Sequence, residues 1–241
     1  MDGNRRWAKE RGLPSYEGHR AGTDAVKRTI EFAVNAKIEV LTLFALSIEN
    51  HEFRPSDEVQ FLLSLLLESL RDNTIALHEK NIRVRLIGDR SQFGESLLEQ
   101  IRITEKTTQV NTGMTLVLAT NYSGRWDIIQ ATRAIARKVN NQQIRVLDIN
   151  EQQLSEHMCL SDLPEPDLFI RTSGELRISN FMLWQLSYTE LFFPKEFWPD
   201  FDPTVFQRAL EAYAQRERRF GLTNDQIRKD VINTDSRIDD F

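Results

Sequence analysis

Four short apolar runs, at 38–46, 82–87, 114–119 and 168–170, alternate along the chain with segments of helical period. Runs of that length with polar breaks on either side suit strands, and a helix between successive strands is what a parallel crossover requires. The pattern predicts an α/β fold, a single domain with a mainly parallel central sheet flanked by helices. The first helical face carries Val26, Ile30, Ala33 and Val34, and further helices are predicted over 56–79, 95–110, 128–139, 151–158 and 203–220. The 241 residues hold no repeat, low-complexity block or long Pro/Gly linker. One domain is therefore expected over 1–222, followed by a charged, mobile tail at 223–241.

The predicted helix over 56–79 is greasier than a sheet-covering helix needs to be. Val59, Phe61, Leu62, Leu63, Leu65, Leu66, Leu67 and Leu70 crowd its first half, and the one continuous polar stripe is Gln60, Ser64, Glu68 and Arg71. A helix lying on a sheet needs an apolar face of about 100°, and this face is wider. Its outer flank must be covered by another helix, by a channel for an apolar ligand, or by a subunit partner.

Charge narrows the partners. With 31 Lys+Arg against 36 Asp+Glu, a net charge of −5, a general nucleic-acid surface is not expected. The single cysteine, Cys159, allows no internal disulfide and suits a reducing compartment. The opening MDGNRRWAKERGL lacks the apolar core of a secretory signal, and no apolar run is long enough to span a bilayer. A cytoplasmic chain is expected.

Polar clusters gather where the strands end and helices begin. Asp2 to Trp7, the Gly18–Gly22 stretch GHRAG, Ser47 to Pro55, and Arg171 to Ser179 bring cations, hydroxyls, glycines and carboxylates together. Strand ends are where open α/β sheets bind ligands, and paired guanidiniums grip phosphate oxygens in a bidentate fork. The plainer reading of 171–179 is a surface turn with ordinary salt bridges. The chain has no P-loop, no G-x-G-x-x-G, no nucleophile elbow and no H-E-x-x-H. Paired D-D-x-x-D clusters are missing too; the one Asp pair is Asp239-Asp240. A cationic mouth beside an apolar wall suits an amphiphile with a diphosphate head and a hydrocarbon tail.

The segments DGNRRWA, GHRAG, SIEN, NYSGRWD, DLFIRTSGELRISNF, LWQLSYTELFF and RERRFG stand in this order between Asp2 and Gly221. On them the chain resembles the cis-prenyltransferase family, and its bacterial members most. The resemblance implies an apolar tunnel between sheet and helices. It also implies condensation of isopentenyl diphosphate onto farnesyl diphosphate, with Mg2+, to a long-chain cis-polyprenyl (undecaprenyl) diphosphate used as a cell-wall lipid carrier. Carried over by position, Asp2 handles the metal and helps the allylic diphosphate leave. Gly3, Asn4, Arg5 and Arg6 hold that diphosphate, and Trp7 and His19 line the same site. Ser47, with Ile48 and Glu49 beside it, and Asn50 position the isopentenyl group, Asn50 being implicated in removal of its proton. Arg171, Arg177 and Ser179 match the isopentenyl diphosphate pocket, and Ile178 and Arg54 are further substrate-binding candidates. Glu190 matches a metal-associated carboxylate near a subunit interface. Arg219 and Gly221 resemble a motif that reaches the partner's site, which implies a homodimer, and release of the product implies peripheral membrane contact.

Three positions depart from that family. Its members carry an apolar strand directly before the segment matching 2–7. With Met1 as the first residue here, the expectation is a sheet one strand short or a strand lost upstream, Asp2 near a mobile terminus, and reduced activity in this form. A phosphate-binding Arg expected before GHRAG is Ser15, and the stretch 49–55 has one extra residue, with His51 or Phe53 in place of a Trp. These departures keep a second hypothesis open, a non-catalytic prenyl-diphosphate-binding or scaffold homologue.

Overall fold

A computed structural model describes residues 1–216. The chain opens with α1 (Asn4–Glu10) and α2 (Ser15–Asn35), then β1 (Val40–Ser47), α3 (Ile48–Phe53) and α4 (Ser56–Glu79). There follow β2 (Arg83–Ile87), α5 (Glu95–Thr108), β3 (Thr115–Tyr122), α6 (Gly124–Asn140), α7 (Glu151–Ser155), β4 (Leu168–Ile170), β5 (Glu190–Phe192) and α8 (Pro203–Ala214). Short 3-10 turns lie at Val146–Asp148 and Trp198–Asp200.

Every strand pair is parallel, as the alternation of strand and helix demands. The strands form two sheets, however: a three-stranded sheet ordered β1-β3-β2 and a two-stranded sheet of β4 and β5. β3 is central to the larger sheet and is buried almost throughout, which fits its near-continuous apolar sequence TLVLATNY. The free edge of β1 and the free edge of β4 border one cleft of about 1480 Å³.

Side-chain alternation along the strands sorts the core into distinct faces. On one face Leu43 and Leu116 pack with Ala25, Ile30 and Ala33 of α2 and with Val205 and Phe206 of α8. Next to it, Val84 and Leu86 pack with Val59, Leu63 and Leu70 of α4 and with Leu97 and Ile101 of α5. On the other face Val117, Ala119 and Tyr122 meet Phe169, Phe181, Met182 and Leu186. Thus α5 covers one flank of the over-wide apolar face of α4. Leu62, Leu65 and Leu66 of α4 line the cleft, so a neighbouring helix and the cleft share that face.

Both long helices start where the sequence places a breaker, Pro14 before α2 and Pro55 before α4. Gly18 lets α2 cross close over α1: a Cβ there would lie 2.0 Å from the Asn4 carbonyl oxygen. The expected mobility of Asp2 is not seen. Its N–H donates to Thr172 Oγ1 at 3.0 Å, and its carbonyl accepts from the Thr172 hydroxyl at 2.8 Å and the Trp198 N–H at 2.9 Å. Thr172 is buried, so the first residues of the chain are fastened to the segment after β4.

Candidate active site

Gly3 sets the direction in which α1 leaves Asp2. Its φ of 104° is a conformation that only glycine adopts readily, and a Cβ would lie 2.3 Å from Ser173 Oγ and 2.6 Å from Phe197 Cδ1. The turn places Asp2 and Arg6 over the segment that follows β4. Asp2 Oδ2 accepts from Arg171 Nη2 at 2.9 Å, and Asp2 Oδ1 lies 3.5 Å from Arg6 Nη2. Burial alone would raise the Asp2 pKa. The hydrogen bond and charge of Arg171, together with the α-amino group and Arg6, more than offset it and hold the carboxyl below its ordinary value.

Arg171, at the C-terminal end of β4, is a hub. Its Nη1 donates to Ser179 Oγ at 2.6 Å and to the Arg177 carbonyl at 2.5 Å while Nη2 holds Asp2. Its side chain is only 13% exposed, whereas that of Arg177 is 61% exposed and turned to solvent. Arg6 also reaches Glu175 at 2.8 Å, and Glu175 pairs in turn with Arg177. Asp2, Arg6, Glu175, Arg177, Arg171 and Ser179 thus form one connected network.

A second network lies where α1, α2, α3 and α4 meet. Glu58, in the first turn of α4, accepts from Arg54 Nη1 at 3.0 Å, lies 3.6 Å from Arg5 Nη1 and 3.4 Å from His19 Nε2. His19 is buried. That burial, then the charge of Arg54, lowers its pKa against the raising influence of Glu58. The ring is therefore held neutral at neutral pH, with Nε2 inside ion-pair range of Glu58 but without a hydrogen-bond partner. Five guanidiniums in these two networks face three carboxylates, Asp2, Glu58 and Glu175. The surplus of positive charge suits ligands with several negative oxygens.

Between the networks, Ser47 caps α3 by accepting the Asn50 N–H at 3.0 Å. Glu49 Oε1 accepts from Asn180 Nδ2 at 2.5 Å, and Asn180 Oδ1 accepts from the Arg125 N–H at 2.9 Å. The Asn50 amide lines the cleft. Asp2, Asn4, His19, Ser47, Glu49, Asn50, Arg54, Arg171, Arg177, Ile178 and Ser179 all line this cleft, as the sequence reading requires of a shared site. Arg5 and Arg6 join through their ion pairs, and Ile48 opens α3 beside them without lining it.

Some expected residues do not gather. Trp7 does not line the cleft; its Nε1 donates to Asp200 at 2.7 Å and its ring lies under Arg11. Glu190 is not near Asp2 within the chain. It pairs with Leu168 at the start of β4, while Asp2 bonds residues just past the end of that strand, roughly 10 Å further along. Its carboxylate is held by Arg216. Ser15 is exposed and adds no cation. Both candidates for the missing Trp stand in the short helix α3, and Phe53 is 82% exposed. Arg54 nevertheless reaches the cleft. Arg219 and Gly221 lie outside the described residues. The sequence reading missed Thr172, Glu58, Glu175 and Asn180; Thr172, Glu175 and Asn180 stand inside the conspicuous segment 167–181, but their partners lie far away in sequence.

Residues 1–221 match the family described as putative undecaprenyl diphosphate synthase. This chain belongs to that prenyltransferase family. A ditrans,polycis-undecaprenyl-diphosphate synthase of Coxiella burnetii, described as (2E,6E)-farnesyl-diphosphate specific, is 52% identical over 95% of this chain and 96% of its own length. The Escherichia coli K12 protein of the same description is 49% identical over 92% of this chain and 88% of its own. Among solved structures, lavandulyl diphosphate synthase from Lavandula x intermedia in complex with dimethylallyl diphosphate aligns with a TM-score of 0.89. Its identity is 40%, covering 92% of this chain and 95% of that one. A probable undecaprenyl diphosphate synthase from Campylobacter jejuni aligns with a TM-score of 0.73 and 32% identity, covering 84% and 92%. The prenyltransferase thus presents its two arginine networks at the mouth of a cleft with a partly apolar wall.

Proposed function

We propose that this prenyltransferase condenses isopentenyl diphosphate onto farnesyl diphosphate and repeats the step to make a long-chain cis-polyprenyl diphosphate of the undecaprenyl type. The observation that carries the reading is the excess of guanidiniums over carboxylates at the rim of a cleft lined by Leu62, Leu65 and Leu66. The names of the curated relatives supply the allylic substrate.

In each cycle the allylic C–O bond breaks, diphosphate leaves with its electron pair, and the isopentenyl double bond attacks the allylic carbon. Loss of a proton then restores a double bond. Arg6 on the allylic side stabilises charge that develops on the departing oxygens, the effect that preorganised cations exert best. Arg171, Arg177 and Ser179 hold the second diphosphate and so fix the distance between the reacting carbons. The Asn50 amide orients the isopentenyl group; as a non-titrating side chain it guides the proton to a diphosphate oxygen rather than keeping it. The leucines of α4 keep water from the allylic cation.

Mg2+ belongs to the proposal. Among the described residues no group of three or more His, Cys, Asp or Glu gathers to hold a metal. A lone half-buried carboxylate at Asp2 fits an ion that arrives largely wrapped in diphosphate and water. Such an ion would neutralise the leaving group. The placement of Glu190 away from Asp2 favours a role at a homodimer contact. Among the described residues no helix is long and apolar enough to cross a membrane.

The test is incubation with isotope-labelled isopentenyl diphosphate and farnesyl diphosphate, followed by solvent extraction and sizing of the product. A long-chain product that EDTA abolishes is the expected result. Tight diphosphate binding with no product would instead establish a binding or scaffold homologue.

A further inference from the structure

In the free chain the phosphate-facing arginines are already engaged by the protein's own carboxylates, and Glu175 engages Arg6 and Arg177 at once. Glu175 Oε1 lies 2.8 Å from Arg6 Nη1, and Glu175 Oε2 pairs with Arg177 Nη1. Arg6 belongs to the network of Asp2, and Arg177 to that of Arg171 and Ser179. Glu175 therefore spans the two diphosphate subsites assigned above, and the inference rests on that assignment. The span is built, not incidental. Ser173 and Gly174 take φ values of 75° and 65°, and their N–H groups are tied to the carbonyls of Glu196 and Pro194 at 2.7 and 2.8 Å. That fastened turn delivers Glu175 between the two guanidiniums, and its side chain is 22% exposed.

We propose that Glu175 is a positioning residue, an internal counter-ion that holds Arg6 and Arg177 in register when the subsites are empty and is displaced as diphosphates enter. The Nη1 groups of Arg6 and Arg177 that are turned to Glu175 cannot at the same time complete a bidentate grip on phosphate. Entry of a diphosphate is therefore an exchange of anions, and an anion with less charge displaces Glu175 less well. The residue thus sharpens the preference for diphosphates at the expense of raw affinity, in the manner of selection by a competing interaction.

The proposal fixes the sign of a mutational effect. Exposed ion pairs are individually weak, so release of two of them should tighten pyrophosphate binding by roughly two- to thirtyfold. Titration calorimetry with inorganic pyrophosphate and with inorganic phosphate, on the whole protein and on Glu175→Gln, measures it. The expected result is tighter pyrophosphate binding, a proportionally larger gain for phosphate, and a lower KM for isopentenyl diphosphate without a matching rise in kcat. Glu175→Asp, which keeps the charge but is one methylene too short to span both arginines, should fall in between, and it decides the sign if Glu175→Gln does not fold. A carboxylate that merely ordered the loop would give weaker binding on removal; weaker or unchanged pyrophosphate binding overturns the proposal. Because pyrophosphate binding needs no turnover, tighter binding in a protein that forms no polyprenyl product would sink the function above and leave this inference standing.

Discussion

Asp2 is held so tightly by its surroundings that its ionisation and its position become one question. Arg171 and Arg6 lower its pKa below the ordinary carboxylate value of 3.8. The stabilisation from that pairing is present in full above 3.8 and is lost as pH falls through the depressed folded value. Denaturation midpoints of the wild type and Asp2→Asn, compared between pH 6 and pH 2.5, should differ most at the upper end and converge in acid. The same substitution should lower kcat by about 10²- to 10³-fold, the scale for loss of one electrostatic group at a reacting centre. Gly3 shows a different dependence, on space alone. Gly3→Ala must strain a backbone at φ 104° and displace Ser173 and Phe197, at a cost of about 1–3 kcal/mol. A melting temperature lower by roughly 2–10 °C is expected by calorimetry, and no change would refute the account of this turn. At this scale the sequence announced the residues whose chemistry is loud, Asp2, Arg171 and Arg177. It gave no role to Thr172, a buried hydroxyl whose partner lies 170 positions away, or to Glu58 and Glu175, which look like ordinary helix-start and loop carboxylates until folding sets them among arginines.

Among the elements, α4 was the most legible because its composition overstated its needs. The structure divides its apolar surface. Leu63 is buried against Val84, Leu86 and α5, so Leu63→Ala should destabilise by about 2–5 kcal/mol in urea melts. Leu65 lines the cleft and belongs to a different test: Leu65→Trp should shorten the product in the sizing assay with little loss of stability. An unaltered product length would remove that part of the wall from the substrate's path. The meeting of α2 with α4 carries a pH dependence. His19 has a folded pKa below 6.5 and faces Arg54, Glu58 and Arg5. Below 6.5 the unfolded chain binds the proton more readily, so stability should fall as pH drops from 6.5 toward the folded value, and His19→Gln should flatten that slope. Three short elements escaped sequence reading. α1 is seven residues of mostly charged side chains with no apolar stripe, α3 is a single capped turn or so, and β5 is three residues inside an aromatic run. None of them is long enough to express a period.

On the scale of the whole molecule, the parallel α/β architecture followed from the alternation of runs, but the division of the strands into two sheets did not. The cleft between β1 and β4 is bordered by strand edges on one side and by leucines of α4 on another. These surfaces are not equivalent. Unpaired backbone N–H and C=O groups on a strand edge demand hydrogen-bond partners that a hydrocarbon cannot offer. The oily chain is therefore expected on the side formed by Val26 of α2, Leu62, Leu65 and Leu66 of α4, and Leu43 and Leu118 of the larger sheet. The most direct test is a crystal structure with a non-reactive thio analogue of farnesyl diphosphate. The account predicts the diphosphate beside Asp2 and Arg6 and the tail running along Leu62, Leu65 and Leu66; a head bound away from Asp2, or a tail lying outside the α2–α4 wall, would contradict it.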